Sequence, residues 1–336
     1  MKIPTVLPTH TAQLFEAAVR QAAEVLRAGE VVALPTETVY GLAANALDER
    51  AVSRIFEIKG RPAHNPLIVH VAGFEMARRC VREWPELADK LAASFWPGPL
   101  TMVIERSSSI PAVVTAGGPT VGLRWPSHPF IQAVIRECGF PLAAPSANLS
   151  NQLSPTSPDH VVKSLGSRIA LIVDGGQCQI GIESTVLDLS ARPPRVLRPG
   201  MIHEETLAAV IGELSAREEN HGATVKSPGM LPKHYAPRAK LTVLRWQNEG
   251  DLRDQLLRRG KLLADCHVIA HTKVPSANDF ERVSVIPHDA EAFARALYTE
   301  LHRCDEAGVE LIIVEAVPET SEWNAIADRL RRASSA

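Results

Sequence analysis

At 336 residues the chain is longer than one hydrophobic core usually serves, so two domains are expected. Hydrophobic residues make up 45% and charged residues 22%, the balance of a globular protein rather than a disordered one. A net charge of −2 excludes a surface that is basic throughout but leaves room for a local basic pocket. The five cysteines (Cys80, Cys138, Cys178, Cys266, Cys304) are scattered, with no CxxC pair, which excludes a zinc ribbon and a disulfide framework. The N-terminal "MKIPTVLPTH" lacks the pattern of a signal peptide, and no apolar run is long enough to span a membrane. A cytoplasmic location with no membrane contact is the expectation.

In chain order, "TAQLFEAAVRQAAEVLRAG" repeats apolar positions at helical spacing and stops at Gly29. "EVVALPT" reads as a buried strand, "ERAVSRIFEIKG" as a helix and "NPLIVHV" as a strand. "ELADKLAASFW" (helix), "LTMVIER" (strand), "HPFIQAVIREC" (helix) and "PLAAPSA" (short strand) follow. "DHVVKSLG", "IALIVDGG", "STVLDLS" and "RVLRPG" complete an alternation that predicts an α/β or α+β domain with a largely buried sheet. From about 215 to 240 the periodicity is lost and helix breakers accumulate. "KSPGMLPKHYAPRAK" (226–240) lies here and reads as a linker. Beyond it, "KLTVLRW", "DLRDQLLRRG", "CHVIAH", "AEAFARALYTELHRCDEAG", "VELIIVEAV" and "WNAIADRLRR" predict a smaller, Rossmann-like α/β unit. The expected boundaries are 1–214, a linker at 215–239, and 240–336.

No GxxxxGK[ST] loop, no GxGxxG after a strand, no HExxH and no GxSxG elbow is present. What remains is a set of loops that mix cations with hydroxyl residues. These are Thr36 and Thr38 in "LPTETVYGL", Lys59, Arg61 and His70 in "KGRPAHNPLIVH", and Arg124 in "TVGLRWP". Ser146, Asn148, Ser150 and Ser154 follow in "APSANLSNQLSPT", Ser184 and Thr185 in "GIESTV", and Arg195 and Arg198 in "RVLRPG". Each loop alone has an ordinary structural reading: Lys59 and Arg61 can answer a helix dipole, and serines beside prolines make turns. Taken together they predict a pocket for a polyanion and a small polar molecule, because guanidinium groups grip phosphate or carboxylate oxygens in pairs and hydroxyls complete such sites without adding charge. With no strong nucleophile, phosphoryl or nucleotidyl transfer fits best, since it needs mainly positioning and charge neutralisation.

As an ordered set, "PTETVYGL", "IFEIKGRPAHNPLIVHV", "FWPGPLT", "TVGLRWPSHP", "PLAAPSANLS", "SPT", "GIESTVLDL" and "LRPG" resemble the YrdC/Sua5 family of L-threonylcarbamoyladenylate synthases. Its K-x-R and S-x-N signature is matched by Lys59, Arg61, Ser146 and Asn148. "SPGMLPKHYAP" and the second unit look like the longer, two-domain Sua5 form. The resemblance implies a YrdC-like twisted open sheet with flanking helices, a linker that doubles as an active-site lid, and a small C-terminal domain. It implies that L-threonine, bicarbonate and ATP give threonylcarbamoyl-AMP and pyrophosphate, for N6-threonylcarbamoyladenosine at tRNA position 37. Mg²⁺ would arrive on the ATP phosphates, with no protein metal site. A TsaD-type transferase would be the partner, with a contact to tRNA also in view.

The same resemblance assigns threonine to Thr38, His70, Arg124, Ala144 and Ser184. ATP falls to Arg61, Asn65, Thr120, Ser146, Ser154, Arg198 and Tyr235, with Lys59 in the same cationic floor and Asn148 ordering the Ser146 loop. Four positions depart from the family's usual residues. Leu231 and Pro232 stand where a basic residue and a second polar or aromatic one are more usual, Asn151 stands where glycine is common and so is expected at positive φ, and Trp125 replaces a methionine. Two other readings remain open: a double-stranded RNA or tRNA-binding module, and a related enzyme that makes carbamoyl-AMP from carbamoyl phosphate.

Overall fold

The computed structural model describes residues 3–215 and 235–334. The chain divides into one unit of residues 1–150 and 154–231 and a second of 151–153 and 232–336. Most of "KSPGMLPKHYAPRAK", including Leu231, Pro232, Lys233 and His234, falls outside the described residues.

In the first unit the strands are β1 (Thr5–Pro8), β2 (Val32–Leu34), β3 (Gly41–Asn45), β4 (Ile68–His70), β5 (Leu100–Glu105), β6 (Thr120–Arg124), β7 (Leu142–Ala143), β8 (Leu171–Asp174), β9 (Thr185–Asp188) and β10 (Arg195–Arg198). The helices are α1 (Ala12–Arg27), α2 (Glu49–Lys59), α3 (Phe74–Arg79), α4 (Glu86–Phe95), α5 (Pro129–Cys138), α6 (Pro158–Leu165) and α7 (Glu204–Ile211). One mixed ten-stranded sheet runs β1-β8-β2-β3-β7-β4-β6-β5-β9-β10.

Helices cover both faces of this sheet, and the strands show it residue by residue. Val32 and Leu34 join one apolar cluster with Val19, Leu26, Phe130 and Val134 of α1 and α5. Ala33, Leu42 and Ala44 point the other way, into a cluster with Val52 and Ile55 of α2. The caps fit the sequence. Thr11 Oγ1 accepts from Leu14 N, Asp48 accepts from the amides of Arg50 and Ala51, and Gly60 closes α2 at φ 60.

The second unit contains β11 (Lys240–Leu244), β12 (Cys266–Ala270), β13 (Arg282–Val285) and β14 (Leu311–Glu315), with α8 (Glu249–Arg258), α9 (Ala290–Ala307) and α10 (Asn324–Ser334). Its sheet is wholly parallel, in the order β11-β14-β12-β13, around a core that includes Trp246, Leu252, Val268 and Ile313. No described helix is long and apolar enough to cross a membrane.

Five elements escaped the sequence pattern: β1, β3, β13, α3 and α7. β1 and β13 lie mostly exposed and lack a buried stripe. "GLAAN" of β3 is buried but built of small residues with low strand propensity. α3 and α7 are short, six and eight residues, and each buries a single apolar side chain (Ala77 and Leu207). Asn151 adopts φ 67, the left-handed turn expected of it. Trp125 packs edge-on against Phe74, with ring centroids 5.6 Å apart.

Gly200 shows how tightly the β9 and β10 loops meet. A Cβ there would lie 2.3 Å from Thr185 N and 2.7 Å from Ser184 C. Backbone cannot retreat as a flexible side chain can, so Gly200→Ala should cost about 1–3 kcal/mol by overpacking. Thermal unfolding should show a Tm lower by roughly 3–10 °C.

Candidate active site

Lys59 ends α2. The helix buries Ala51, Val52 and Ile55 along one stripe, and Lys59 continues that stripe a turn further, so its side chain is buried with them. Its Nζ donates to the carbonyl oxygens of Ser146 and Asn148, both at 2.5 Å, and to Asn148 Oδ1 at 3.3 Å. These three acceptors take all three N–H donors of an ammonium. Ser150 N donates in turn to the Lys59 carbonyl at 2.9 Å. Burial, and then the charge of Arg61, push the Lys59 pKa well below its ordinary value. Lys59, Ser146 and Asn148 are thus one knot that fixes the 146–150 loop. The loop is also zipped to residues 40–42, through Leu42 N to Pro145 O (2.7 Å) and Ala147 N to Tyr40 O (2.8 Å).

Register aligns a second group. β4 and β6 are parallel with His70 beside Arg124, and β5 and β6 are antiparallel with Met102 beside Leu123. Alternation then puts His70, Arg124 and Thr101 on one face of the sheet. Thr101 Oγ1 shares a 2.9 Å hydrogen bond with Ser184 Oγ. Arg198 grips Ser184 twice, from Nε to the carbonyl and from Nη2 to Oγ, each at 3.1 Å. Arg124 Nη1 donates to Thr38 Oγ1 at 2.9 Å, and its Nη2 lies 2.8 Å from Glu37 Oε1. Thr38 is held by Thr36, whose Oγ1 accepts from the amides of Thr38 and Val39, and both threonines are buried. Loop 180–184 docks on this turn through Ile180 N to Glu37 O and Gly181 N to Thr38 O.

The remaining expected residues lie further along the strands. Arg61 donates from Nε to Asn65 O (3.0 Å) and from Nη2 to Pro66 O (2.8 Å), just ahead of β4. Thr120 begins β6, four residues before Arg124, or about 13 Å of extended strand. Ligands touching both sets must therefore run along β4 and β6, rather than gather at one end of the strands. Ala144 is buried, its amide donating to Ile68 O at 3.1 Å, and Ser154 Oγ donates to Glu183 Oε1 at 2.5 Å. Tyr235 belongs to the second unit and is buried there, 6.1 Å from the Tyr298 ring, with the Arg329 guanidinium 5.2 Å above its own ring.

Sequence reading missed Glu37, Thr101 and Glu183. Glu37 and Glu183 stand inside motifs singled out for their hydroxyls, and the search for anion-binding groups passed over carboxylates. Thr101 sits in a strand read only for its apolar residues.

The electrostatics are those of a buried site. His70 is buried, and that burial, with Arg124 nearby, lowers its pKa to about 3, so the imidazole is neutral at physiological pH. Both oxygens of Glu37, both amide atoms of Asn65, His70 Nδ1, and Nε and Nη2 of Arg124 are buried without a hydrogen-bond partner among the described residues. Buried polar atoms are nearly always paired, so this concentration makes the cluster the candidate ligand site.

The sequence model of the Sua5/YciO/YrdC family, which carries the description "Telomere recombination", matches residues 24–200. That of "Threonylcarbamoyl-AMP synthase, C-terminal domain" matches residues 202–335. The chain belongs to the Sua5/YciO/YrdC family, in the form that carries the Sua5 C-terminal domain. The threonylcarbamoyl-AMP synthase of Pyrococcus abyssi is 44% identical over 323 residues, 94% of each chain. That of Bacillus subtilis is 43% identical over 321 residues, 94% of this chain and 92% of the relative. A crystal structure of P. abyssi Sua5 complexed with L-threonine is similar at TM-score 0.89 and 41% identity, over 99% of this chain and 98% of that one.

Two outcomes test the site. Lys59→Met removes three hydrogen bonds from a buried side chain to residues 146 and 148, at about 1–3 kcal/mol each. Urea unfolding should show a loss of several kcal/mol, and hydrogen exchange should quicken at the amides of 146–150. His70 has a native pKa below its unfolded value. Between about pH 3 and 6.5 the unfolded chain binds the extra proton, and stability falls as pH falls through that window. His70→Gln should remove up to about 1.4 kcal/mol per pH unit of that slope, measured as denaturant midpoints from pH 7 to 5.

Proposed function

We propose that this chain is a threonylcarbamoyl-AMP synthase, joining L-threonine, bicarbonate and ATP into L-threonylcarbamoyladenylate with release of pyrophosphate. The observation that carries the reading is the set of buried, unpartnered groups on Arg124, His70, Glu37 and Asn65, in a chain 44% identical to a threonylcarbamoyl-AMP synthase. The open guanidinium edge of Arg124 suits a carboxylate. Thr38, Ser184 and the neutral His70 offer uncharged hydrogen-bonding groups for a small hydroxyl-bearing amino acid, with Ala144 beneath. Arg61 and Asn65, ahead of β4, and Thr120, at the start of β6, take ATP together with Ser146, Ser154 and Arg198.

The carbamate forms when the threonine amine condenses with bicarbonate and water leaves. A carbamate oxygen then attacks the α-phosphorus of ATP, and pyrophosphate departs. Arg61 and Arg198 offset the charge that develops, and juxtaposition of the two reactants supplies much of the acceleration. Lys59 acts on this chemistry by fixing the Ser146 loop, because its donors are already engaged with that loop. ATP enters as its complex with a divalent cation, Mg²⁺ in the cell, carried by the phosphates. Among the described residues the one His/Cys/Glu group close enough to hold a metal is His267, Glu300 and Cys304, in the second unit. The product serves tRNA position 37 in the cytoplasm, handed to a TsaD-type transferase, with tRNA contacting this complex. The segment 226–237 acts as a lid as well as a linker.

Purified chain should release pyrophosphate only when threonine, bicarbonate and MgATP are all present. Release with carbamoyl phosphate in place of threonine and bicarbonate would establish carbamoyl-AMP formation instead. Tight, steeply salt-dependent RNA binding without ATP turnover would establish a binding module. Deleting 226–237 should abolish threonine-dependent release while far-UV circular dichroism is retained.

A further inference from the structure

Between Thr36 and Thr38 stands a carboxylate to which the reaction above gives no role. The Glu37 side chain is 3% exposed, and its Oε1 lies 2.8 Å from Arg124 Nη2. Its alignment falls short of a well-directed hydrogen bond, as does that of the nearby Ser127 amide, so both carboxylate oxygens keep bonding capacity. On the arginine, Nε and Nη2 are open as well, while Nη1 is tied to Thr38. Arg124 and the Ser127 amide keep the carboxyl ionised against the cost of its burial. The other titratable groups near it are uncharged or driven that way: burial keeps Cys178 protonated, makes His70 neutral and lowers His128. Arg124 is therefore its one fixed counter-charge among them.

This pair offers one negative and one positive group side by side, each with unfilled hydrogen-bonding capacity, in a place shielded from water. An α-amino acid zwitterion carries the complementary pattern, its ammonium and carboxylate being roughly 3 Å apart across one Cα. A carboxylate taken by Arg124 brings its own ammonium to the neighbouring acceptor. An ammonium buried without an acceptor is costly. His70 offers one neutral lone pair, and the Glu183 carboxylate already accepts from Ser154. The carboxylate that abuts Arg124 is Glu37.

We propose that Glu37 is a substrate-binding residue whose carboxylate receives the α-ammonium of the amino acid held by Arg124, so that the Glu37–Arg124 pair selects a zwitterion. This rests on the functional reading above and identifies what its amino-acid subsite recognises. In the free chain the two charges serve each other. With substrate bound, each keeps its neighbour and gains a partner of opposite sign, which fills the open valences of both.

Calorimetric titration of the full chain with L-threonine and with (2S,3R)-2,3-dihydroxybutanoate, which replaces the ammonium by a hydroxyl, tests this. Wild-type protein should favour threonine by at least about 30-fold, the scale of a charge-assisted bond to a buried group. Glu37→Gln should cut threonine affinity by a similar factor, change dihydroxybutanoate affinity by less than about 3-fold, and leave ATP affinity unchanged. Equal weakening of both acids would mean that Glu37 only holds Arg124, and would overturn the proposal while threonine-dependent pyrophosphate release by the wild type kept the functional reading. Wild-type protein that binds both acids alike would overturn it without recourse to a variant. Wild-type protein that binds neither would remove the functional reading and this proposal together.

Discussion

A single buried ammonium holds the site in shape. Lys59 sits on the apolar stripe of α2, so the packing that folds the helix also drives its charge under the surface. There it finds only carbonyl and amide oxygens of residues 146 and 148. A flexible loop rich in serine and asparagine thereby becomes a fixed edge of the sheet, continued by its bonds to residues 40–42. The K-x-R and S-x-N motifs lie almost ninety residues apart in sequence and form one unit because each satisfies the other's buried polar groups.

The site places its charges where water is scarce. Arg124, Glu37 and His70 each lie 4% exposed or less. Nearby charges and hydrogen bonds count for more there than at a surface, and unpaired groups are costly. The row from His70 through Arg124 and Thr101 to Ser184 and Arg198 crosses five adjacent strands on one face, with Thr38 and Glu37 supplied by the turn after β2. Strand pairing sets the spacing of these groups, so the backbone ladder, not side-chain adaptability, holds the geometry.

The second unit answers the carboxylate at the end of a central strand internally. At the end of β14 the Glu315 carboxylate accepts from the amides of His271, Thr272 and Lys273, at 2.8 to 3.2 Å. Open parallel sheets often take a ligand's anionic group at such strand ends. Here the chain's own carboxylate fills that place, in keeping with the lack of any nucleotide fingerprint in this half. Ser284 likewise bridges His267 and Glu300 inside the unit.

Much was legible from residues alone. Apolar spacing located α1, α2, α5, α9 and the buried strands other than β3, because their faces are buried continuously and burial imposes periodicity. The cationic and hydroxyl loops also marked themselves, since such residues rarely cluster between apolar strands without a polar ligand to meet. Sequence could not show that Lys59 bonds the 146–148 loop, that Thr120 and Arg124 lie about 13 Å apart along one strand, or that Tyr235 packs against Tyr298 and Arg329. Nor could it show that Glu37 meets Arg124, eighty-seven positions away. The sequence by itself determined which residues must be buried and which polar types the site would contain. Only the tertiary structure decided which of those buried charges face each other, because strand register and loop docking bring distant residues together and leave no periodic trace in the chain.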